Sequence, residues 1–205
     1  LSKYEIGSSE RIQLRLRTDQ SDLIQYFYLR RNILKSEIPE LASSSQKKFY
    51  AVNIHATAFA TDDTKEKHVA KYLEILDSIH SDGHVFVSGG DLNAVPPGAS
   101  IDYCMNDICE GESYHVDGID PFHKEGSFFD NFIGEPDILA PLYQLYDPAI
   151  AEDFINFPEH YTHAPSTSML GEDAIRKYDR KIDYLFTNME WDDMSGHTHQ
   201  ACWEL

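Results

Sequence analysis

The sequence predicts an α/β fold, a layered sandwich of mixed sheets with outer helices, and three observations support this prediction. Residues 11–17 alternate apolar and polar side chains, as a strand with one buried face does. The heptapeptide FYAVNIH, Phe49–His55, is rich in β-forming residues and follows a polar loop. A helical pattern and a second apolar strand come directly after it, and the order strand, helix, strand is typical of layered α/β domains.

The helix between these strands has a start signal and a stop signal. Residues 63–66 read DTKE, a variant of the capping box with Asp63 as the N-cap. Apolar residues then recur at helical spacing until Asp82 and Gly83 end the helix. Residues 85–87 follow as a short buried strand, and we predict further strands over residues 26–34, 182–186 and 198–205.

Length and composition favour one domain over residues 1–205. A chain of 205 residues with 41% hydrophobic content can bury one substantial core but is too short for two large domains. Residues 96–160 have only weak periodicity, yet they contain too many aromatic side chains to be a disordered linker. We therefore expect this region to be ordered and irregular.

No segment is apolar enough to predict a membrane span, and no signal peptide is visible. The chain begins with Leu1 in sequence that already looks ordered, so we expect an N-terminal portion to be missing. An export signal would lie in that portion, so cytoplasmic and exported locations both stay open. The oligomeric state has no signal in the sequence.

The net charge of the sequence indicates which kinds of molecule it can bind. Seventeen basic and 35 acidic residues give a net charge of −18 with histidine neutral. Such a field repels polyanions, so nucleic acid is a disfavoured partner. Cys104, Cys109 and Cys202 match no zinc or disulfide spacing, which favours buried or free thiols.

Polar residues cluster after the second strand, where residues 88–93 read SGGDLN. Asp91 and Asn93 are two residues apart, so their side chains can face one site. A carboxylate binds a hard divalent cation or takes a proton from water, and an amide orients a group without adding charge. An ordinary turn capped by these side chains explains the same residues.

His55 ends its strand one strand-helix-strand unit before Asp91. If the two strands are neighbours, both residues lie at one edge of the sheet, where open α/β sheets place their sites. A histidine there can donate to a phosphate oxygen and stabilise charge in the transition state. A partly buried structural histidine is the alternative.

Asp183 interrupts an otherwise apolar strand, KIDYLF, at residues 181–186. A buried carboxylate is costly unless it is paired, so we expect an imidazole or arginine partner. A salt bridge to Arg180 or Lys181 would also explain it.

Together these segments resemble the endonuclease/exonuclease/phosphatase superfamily. Its members carry an N-x-H strand end, then GD-[LF]-N, then [RK]-[IL]-D-Y-[LIF]-F, and finally Ser-Asp-His. The first three occur here in that order, as NIH at 53–55, GDLN at 90–93 and KIDYLF at 181–186. Residues 1–6 and the Tyr161-Thr162-His163 segment are also similar to family segments, so the resemblance runs along the whole chain.

The resemblance implies a deoxyribonuclease I-like fold with two packed mixed sheets and a bound Mg²⁺ or Mn²⁺. It implies that Asp91 activates water or contacts the metal, and that Asn93 orients it and contributes to the metal site. It makes His55 a phosphate-binding residue. Asp183 would orient the histidine of the terminal tripeptide.

Two family elements are not found. The metal-binding glutamate of relatives lies upstream of the segment with which this chain begins. For Ser-Asp-His, one alignment makes Thr198-His199 a degenerate version, and the other ends the chain just before the tripeptide. We favour the second, because two full strands back to the same edge fit more easily before Leu205 than before His199.

The predicted function is a metal-dependent hydrolase that cleaves a phosphate mono- or diester. The negative charge favours a small phosphorylated molecule or a lipid headgroup over DNA. The alternatives are a nuclease of the same fold and a non-catalytic binding module that has lost its metal. Arg30 and Arg31 are candidates for holding a second phosphate, and a solvated strand edge explains them equally well.

Overall fold

The computed structural model describes residues 2–44, 46–58, 60, 62–99, 129–155, 157–163, 181–192 and 196–200, and it gives no side-chain placement for residues 129–136. Several predictions lie outside these residues. They concern the three cysteines, Arg180, the middle of the region 96–160, and residues 201–205 of the last predicted strand.

Among the described residues, six strands form one mixed sheet in the order β1-β2-β3-β4-β6-β5. Only β3 and β4 are parallel, and every other neighbouring pair is antiparallel. The strands are β1 Ser9–Gln13, β2 Asn32–Glu37, β3 Phe49–His55, β4 Val85–Asp91, β5 Asp147–Pro148 and β6 Asp183–Thr187. The α-helices are α1 Asp22–Phe27, α2 Thr64–Ser81 and α3 Phe129–Leu145. Short 3₁₀ helices cover Pro39–Leu41, Glu152–Phe154 and Pro158–His160.

The predicted α/β class is confirmed, and β3 matches its predicted bounds. Two segments differ. Residues 26–34 were expected to be a strand, but they hold the end of α1 and the start of β2, because Ser21 caps a helix through a bond from the Ile24 amide to its Oγ. The strand expected over residues 11–17 instead covers Ser9–Gln13.

Helix α2 begins and ends as predicted, but its cap uses a different residue. Asp63 occupies the N-cap position without a side-chain capping bond. Asp62 Oδ1 instead accepts from the Thr64 amide at 3.1 Å, and its Oδ2 accepts from the amide and hydroxyl of Thr18, each at 2.6 Å. Burial raises the pKa of Asp62, but these bonds outweigh burial and lower it to about 2.

Helix α3 lies in the region expected to be irregular. Gly134, Pro136 and Pro141 interrupt the helical pattern in its sequence, which is why the sequence alone did not predict it. Its last turns contribute Leu139, Leu142 and Tyr143 to the hydrophobic core.

The core lies between one face of the sheet and helices α2 and α3. Tyr72 of α2 is fully buried, and its hydroxyl donates to Ser88 Oγ of β4 at 2.8 Å. The largest buried side chains of the sheet are Ile33, Ile54, Phe86 and Phe186. No helix among the described residues is long and apolar enough to cross a membrane.

The opposite face of the sheet is open in the described part of the chain. Leu34 and Leu185 on this face are 47% and 52% exposed. A cavity of about 1040 Å³ lies against it and reaches Asp183 at one end. The second packed sheet that the resemblance implies is not among the described residues.

Candidate functional site

Three of the four predicted site residues stand side by side on neighbouring strands. In the parallel pair β3 and β4, His55 is the partner of Asp91, and in the antiparallel pair β4 and β6, Asp91 is the partner of Asp183. Asn93 follows β4 by two residues. The structure therefore brings His55, Asp91, Asn93 and Asp183 to one edge of the sheet, while their chemical roles stay predictions.

Backbone bonds beyond the strand ends hold Asp91 between its neighbours. The Ala56 amide donates to the carbonyl of Asp91 at 2.8 Å, and the Leu92 amide donates to the carbonyl of Ile182 at 2.9 Å. On the β3 side, Asn53 Nδ2 donates to the carbonyl of Gly89 at 3.2 Å. The Asn of the N-x-H motif thus ties the histidine strand to the aspartate strand.

The glycine pair ahead of Asp91 is required by close packing. Gly90 has φ of +134°, a conformation that favours glycine. A Cβ there would lie 2.0 Å from the carbonyl oxygen of Ile54, and a Cβ at Gly89 would lie 2.0 Å from that of Tyr184. Side chains at these positions would separate the three strands that carry the site.

Asp91 has contacts on both carboxylate oxygens. Its Oδ1 accepts from the Asn93 amide at 2.8 Å, and its Oδ2 lies 3.4 Å from His55 Nε2. Burial raises the pKa of Asp91, and the charge of Asp183 raises it further. The Asn93 bond and the charges of His55 and Arg31 act in the opposite direction without cancelling the rise.

Asn93 has a backbone conformation that few residues adopt. Its φ of +49° lies in the left-handed region, where asparagine is tolerated better than most side chains. Its Nδ2 donates to the carbonyl of Ala56 at 3.2 Å, which fixes the amide beside the end of β3. Asn93 is therefore anchored both to Asp91 and to the strand of His55.

Asp183 differs from the sequence expectation, because it is exposed rather than buried. It stands at the first position of β6, so solvent removes the need for a buried partner. Its amide donates to Thr162 Oγ1 at 3.0 Å, and the Ile182 amide donates to the same oxygen at 3.1 Å. Thr162 thereby holds the start of β6, and the threonine-bearing segment acquires a positioning role.

The side chains at this edge include ligands that a hard divalent cation accepts. No group of three His, Cys, Asp or Glu that could hold a metal occurs among the described residues. Magnesium in phosphate-handling sites, however, often uses one or two carboxylates, with water and substrate phosphate as further ligands. Asp91 and Asp183 supply two neighbouring carboxylates. Burial and, after it, the charge of Asp183 raise the pKa of Asp91, and a cation would relieve the repulsion between the two carboxylates.

Arg31 is a polar neighbour of the site that the sequence suggested only ambiguously. It immediately precedes β2, whose Ile33 is the partner of Ile54 in β3, so it lies at the same edge as His55. Its charge lowers the pKa of Asp91. The sequence placed Arg31 inside the strand predicted over residues 26–34. Its position at this edge follows only from the observed start of β2 and the pairing of β2 with β3.

Solved structures give similarities at low identity. No protein-family model and no curated protein sequence matches the chain. An endonuclease/exonuclease/phosphatase from Bacteroides vulgatus matches over 90% of this chain and 54% of its own, at 12% identity and a TM-score of 0.45. A mannosyl-6-phosphatase from Bacteroides thetaiotaomicron matches over 90% and 53%, at 10% identity and a TM-score of 0.44.

Sphingomyelinase C from Streptomyces griseocarneus matches over 98% of this chain and 53% of its own, at 11% identity and a TM-score of 0.41. The chain thus spans about half of the length of these structures. The chain is similar in structure, over that shared half, to solved proteins that include an endonuclease/exonuclease/phosphatase.

Proposed function

We propose that the chain carries the active site of a metal-dependent phosphoesterase of the endonuclease/exonuclease/phosphatase superfamily. The observation that carries this proposal is the alignment of His55, Asp91 and Asp183 on three neighbouring strands, with Asn93 bonded to Asp91. The motifs in the sequence predicted these residues before any pairing was known, and the strand register is independent support for placing them in one site.

Asp91 is the group that accepts a proton from the attacking water. A positioned carboxylate can take a proton from a water within hydrogen-bond distance, and the Asp91 carboxylate lies at the edge of the sheet beside His55. Asn93 holds one oxygen of Asp91 through its amide, so the carboxylate keeps a fixed orientation. A fixed base close to a bound substrate lowers the entropic part of the barrier.

His55 is the group that donates to a phosphate oxygen. Its side chain is 52% exposed and its Nε2 faces Asp91, so a substrate can reach the imidazole from solvent. In the reaction, the water oxygen bonds to phosphorus and the bond from phosphorus to the alcohol oxygen breaks. Asp91 takes the water proton, and solvent returns a proton to the alcohol.

A divalent cation is the cofactor that this site would use. Asp91 would hold Mg²⁺ or Mn²⁺, with Asn93 and Asp183 close by. The bound cation would supply the positive charge that neutralises charge developing on the phosphate.

The substrate class follows from charge. With a net charge of −18 the protein repels a polyanion, whereas a single phosphate group can approach a local positive charge. We therefore propose a small phosphorylated molecule or a lipid headgroup as the substrate.

A hydrolysis assay tests this proposal. The chain is incubated with Mg²⁺ or Mn²⁺ and a panel of small phosphomonoesters, phosphodiesters and plasmid DNA, and phosphate or alcohol release is measured. The proposal expects slow but measurable turnover of a small ester, since the metal-binding glutamate and the Ser-Asp-His tripeptide of the family are not found in these residues. Loss of the Asp91 carboxylate in Asp91→Asn should lower the rate by about 10²-fold or more, the scale of a general base.

Glu74→Gln is the matched control, since it makes the same change of carboxylate to amide on the outer face of α2, where Glu74 pairs with Lys71. It should retain the wild-type rate. Turnover that is equal in Asp91→Asn and wild type would refute the assignment of the base. Rapid plasmid nicking without turnover of small esters would refute the substrate class.

A further inference from the structure

In the described part of the chain, Arg31 lies at the edge of the sheet that carries the candidate site. Arg31 precedes β2, and its carbonyl accepts from the Leu14 amide at 3.0 Å, which fixes its backbone beside the end of β1. Because β2 and β3 are antiparallel, the start of β2 lies next to the end of β3 and therefore next to His55. Arg31 and Asp183 then lie at the same sheet edge, on opposite sides of the His55–Asp91 pair.

The charge of Arg31 acts on Asp91 in the candidate site and on the buried His68 of α2. It lowers the pKa of Asp91, and it is also one of the causes that lower the pKa of the buried His68, after burial itself. The guanidinium of Arg31 is therefore within electrostatic reach of both the candidate site and the buried His68 of α2. A positive charge in this position attracts an anion that approaches Asp91 and His55.

Arg31 is held in place by a neutral group rather than by a carboxylate. The Tyr28 hydroxyl is hydrogen-bonded to Arg31, Arg17 and Thr57; burial raises the pKa of Tyr28, but these bonds outweigh burial and lower it. Within the described residues, no carboxylate lies within salt-bridge distance of Arg31. Its Nε is shielded from solvent and has no acceptor there.

The neighbouring arginines show how unusual this is. Arg17 binds both oxygens of Asp19, at 2.8 and 2.6 Å, and the carbonyl of Ala58 at 3.2 Å. Arg30 is exposed to solvent. Among the described residues, Arg31 is a partly buried arginine without a carboxylate partner, so its charge is available to bind an anion.

We propose that Arg31 binds a phosphate group at this edge and so recognises the phosphate of the substrate, with Tyr28 positioning its guanidinium. This inference rests on the proposed function and deepens it by naming the residue that selects an anionic substrate. The guanidinium must turn toward the edge for its shielded Nε–H to reach a phosphate oxygen, which would then supply the missing acceptor.

Calorimetric titration of the full chain tests this inference without requiring turnover. Inorganic phosphate and glycerophosphocholine are titrated into wild type, Arg31→Met, Arg31→Lys and the control Arg30→Met, at one fixed Mg²⁺ concentration. We expect Arg31→Met to weaken binding of at least one probe about tenfold or more, the scale of a charged hydrogen bond. Arg31→Lys should recover part of the affinity, and Arg30→Met should bind like wild type.

The outcomes separate this inference from the proposed function. Equal affinity of wild type and Arg31→Met for both probes would overturn the role of Arg31, even if the chain hydrolyses a phosphoester. Phosphate binding that depends on Arg31, without hydrolysis of any ester, would retain this inference and refute the proposed function. Thermal unfolding of each variant shows whether it is folded. If Arg31→Met is unfolded, the affinities of Arg31→Lys and Arg30→Met are compared instead, and equal affinities for both probes would overturn the role of Arg31.

Discussion

The two faces of the sheet carry different kinds of residue. The covered face presents Ile33, Val52, Ile54 and Phe86 to helices α2 and α3, and each of these side chains is at most 3% exposed. On the open face, Leu34 and Leu185 are about half exposed and the cavity of about 1040 Å³ lies over them. Neighbouring residues on one strand therefore have different surroundings.

The residues that stabilise the fold and the residues of the candidate site therefore lie in different parts of the sheet. Burial of apolar side chains on the covered face supplies the favourable free energy of folding. Strands β3 and β4 end in His55 and Asp91, and β6 begins with Asp183, all at the edge where side chains reach solvent. The covered face holds the strands in register, and the register in turn sets the geometry of the site.

The largest difference in the free energy of unfolding is expected between substitutions at two adjacent residues of β2. Ile33→Ala should reduce the free energy of unfolding by about 2–5 kcal/mol, because it leaves a cavity at a position with 0% exposure. Leu34→Ala, at a position that is 47% exposed, should cost less than about 1 kcal/mol. Urea unfolding of both variants measures the difference. Similar losses for the two variants would show that the open face is covered in solution.

His68 gives a smaller effect that depends on pH. It is fully buried, its Nδ1 accepts from the Thr57 amide at 3.2 Å, and its Nε2 lies 2.7 Å from the carbonyl of Arg15. Burial lowers the pKa of His68, the Arg15 bond opposes this, and the charge of Arg31 adds to the lowering. The unfolded chain therefore binds the proton more readily than the folded chain does.

The direction of the pH dependence follows from the linkage between proton binding by His68 and folding. The stabilisation is fully present above the unfolded-state pKa of about 6.5 and is lost as pH falls below it toward the lower folded-state pKa. The urea midpoint of the wild type should fall between about pH 7.5 and pH 5.5, and part of this fall should be absent in His68→Gln. His80→Gln, an exposed change on the same helix, is the control. A wild-type slope retained in His68→Gln would refute this explanation.

The smallest effect on stability is expected at Asp183. Because Asp183 is exposed, Asp183→Asn should change the free energy of unfolding by no more than about 0.5 kcal/mol. It should nevertheless lower the pKa of Asp91, because the charge of Asp183 is one cause of its elevation. A carbon-detected NMR titration of the Asp91 carboxyl measures this shift. Asp147→Asn, on β5 beside the other end of β6, should leave it unchanged.

Sequence patterns predicted the parts of the molecule whose signals are local. The strand Phe49–His55 and helix α2 have strong periodicity and clear ends, so both were found. Helix α3 was missed because glycine and prolines break its pattern, although burial of Leu139 and Leu142 stabilises it. Tertiary packing outweighs propensity there, and a single sequence does not show packing.

The site was predictable where the side chains belong to motifs. His55 and Asp91 end strands and Asn93 follows one, so the sequence placed all three at one edge on the condition that the two strands are neighbours, which the pairing of β3 with β4 fulfils. The surroundings of Asp183 were not predictable, since its exposure depends on where β6 begins. The role of Arg31 depends on the antiparallel pairing of β2 with β3, a long-range contact with no local signal.

The most direct test of the central claim is a crystal structure of the chain grown with Mn²⁺ and phosphate, with the metal located by anomalous scattering. The account predicts a Mn²⁺ peak about 2 Å from a carboxylate oxygen of Asp91, the distance typical of small hard cations. It also predicts phosphate between that peak and His55. Phosphate and Mn²⁺ bound on another surface, with no density at the edge formed by His55, Asp91 and Asp183, would contradict the account.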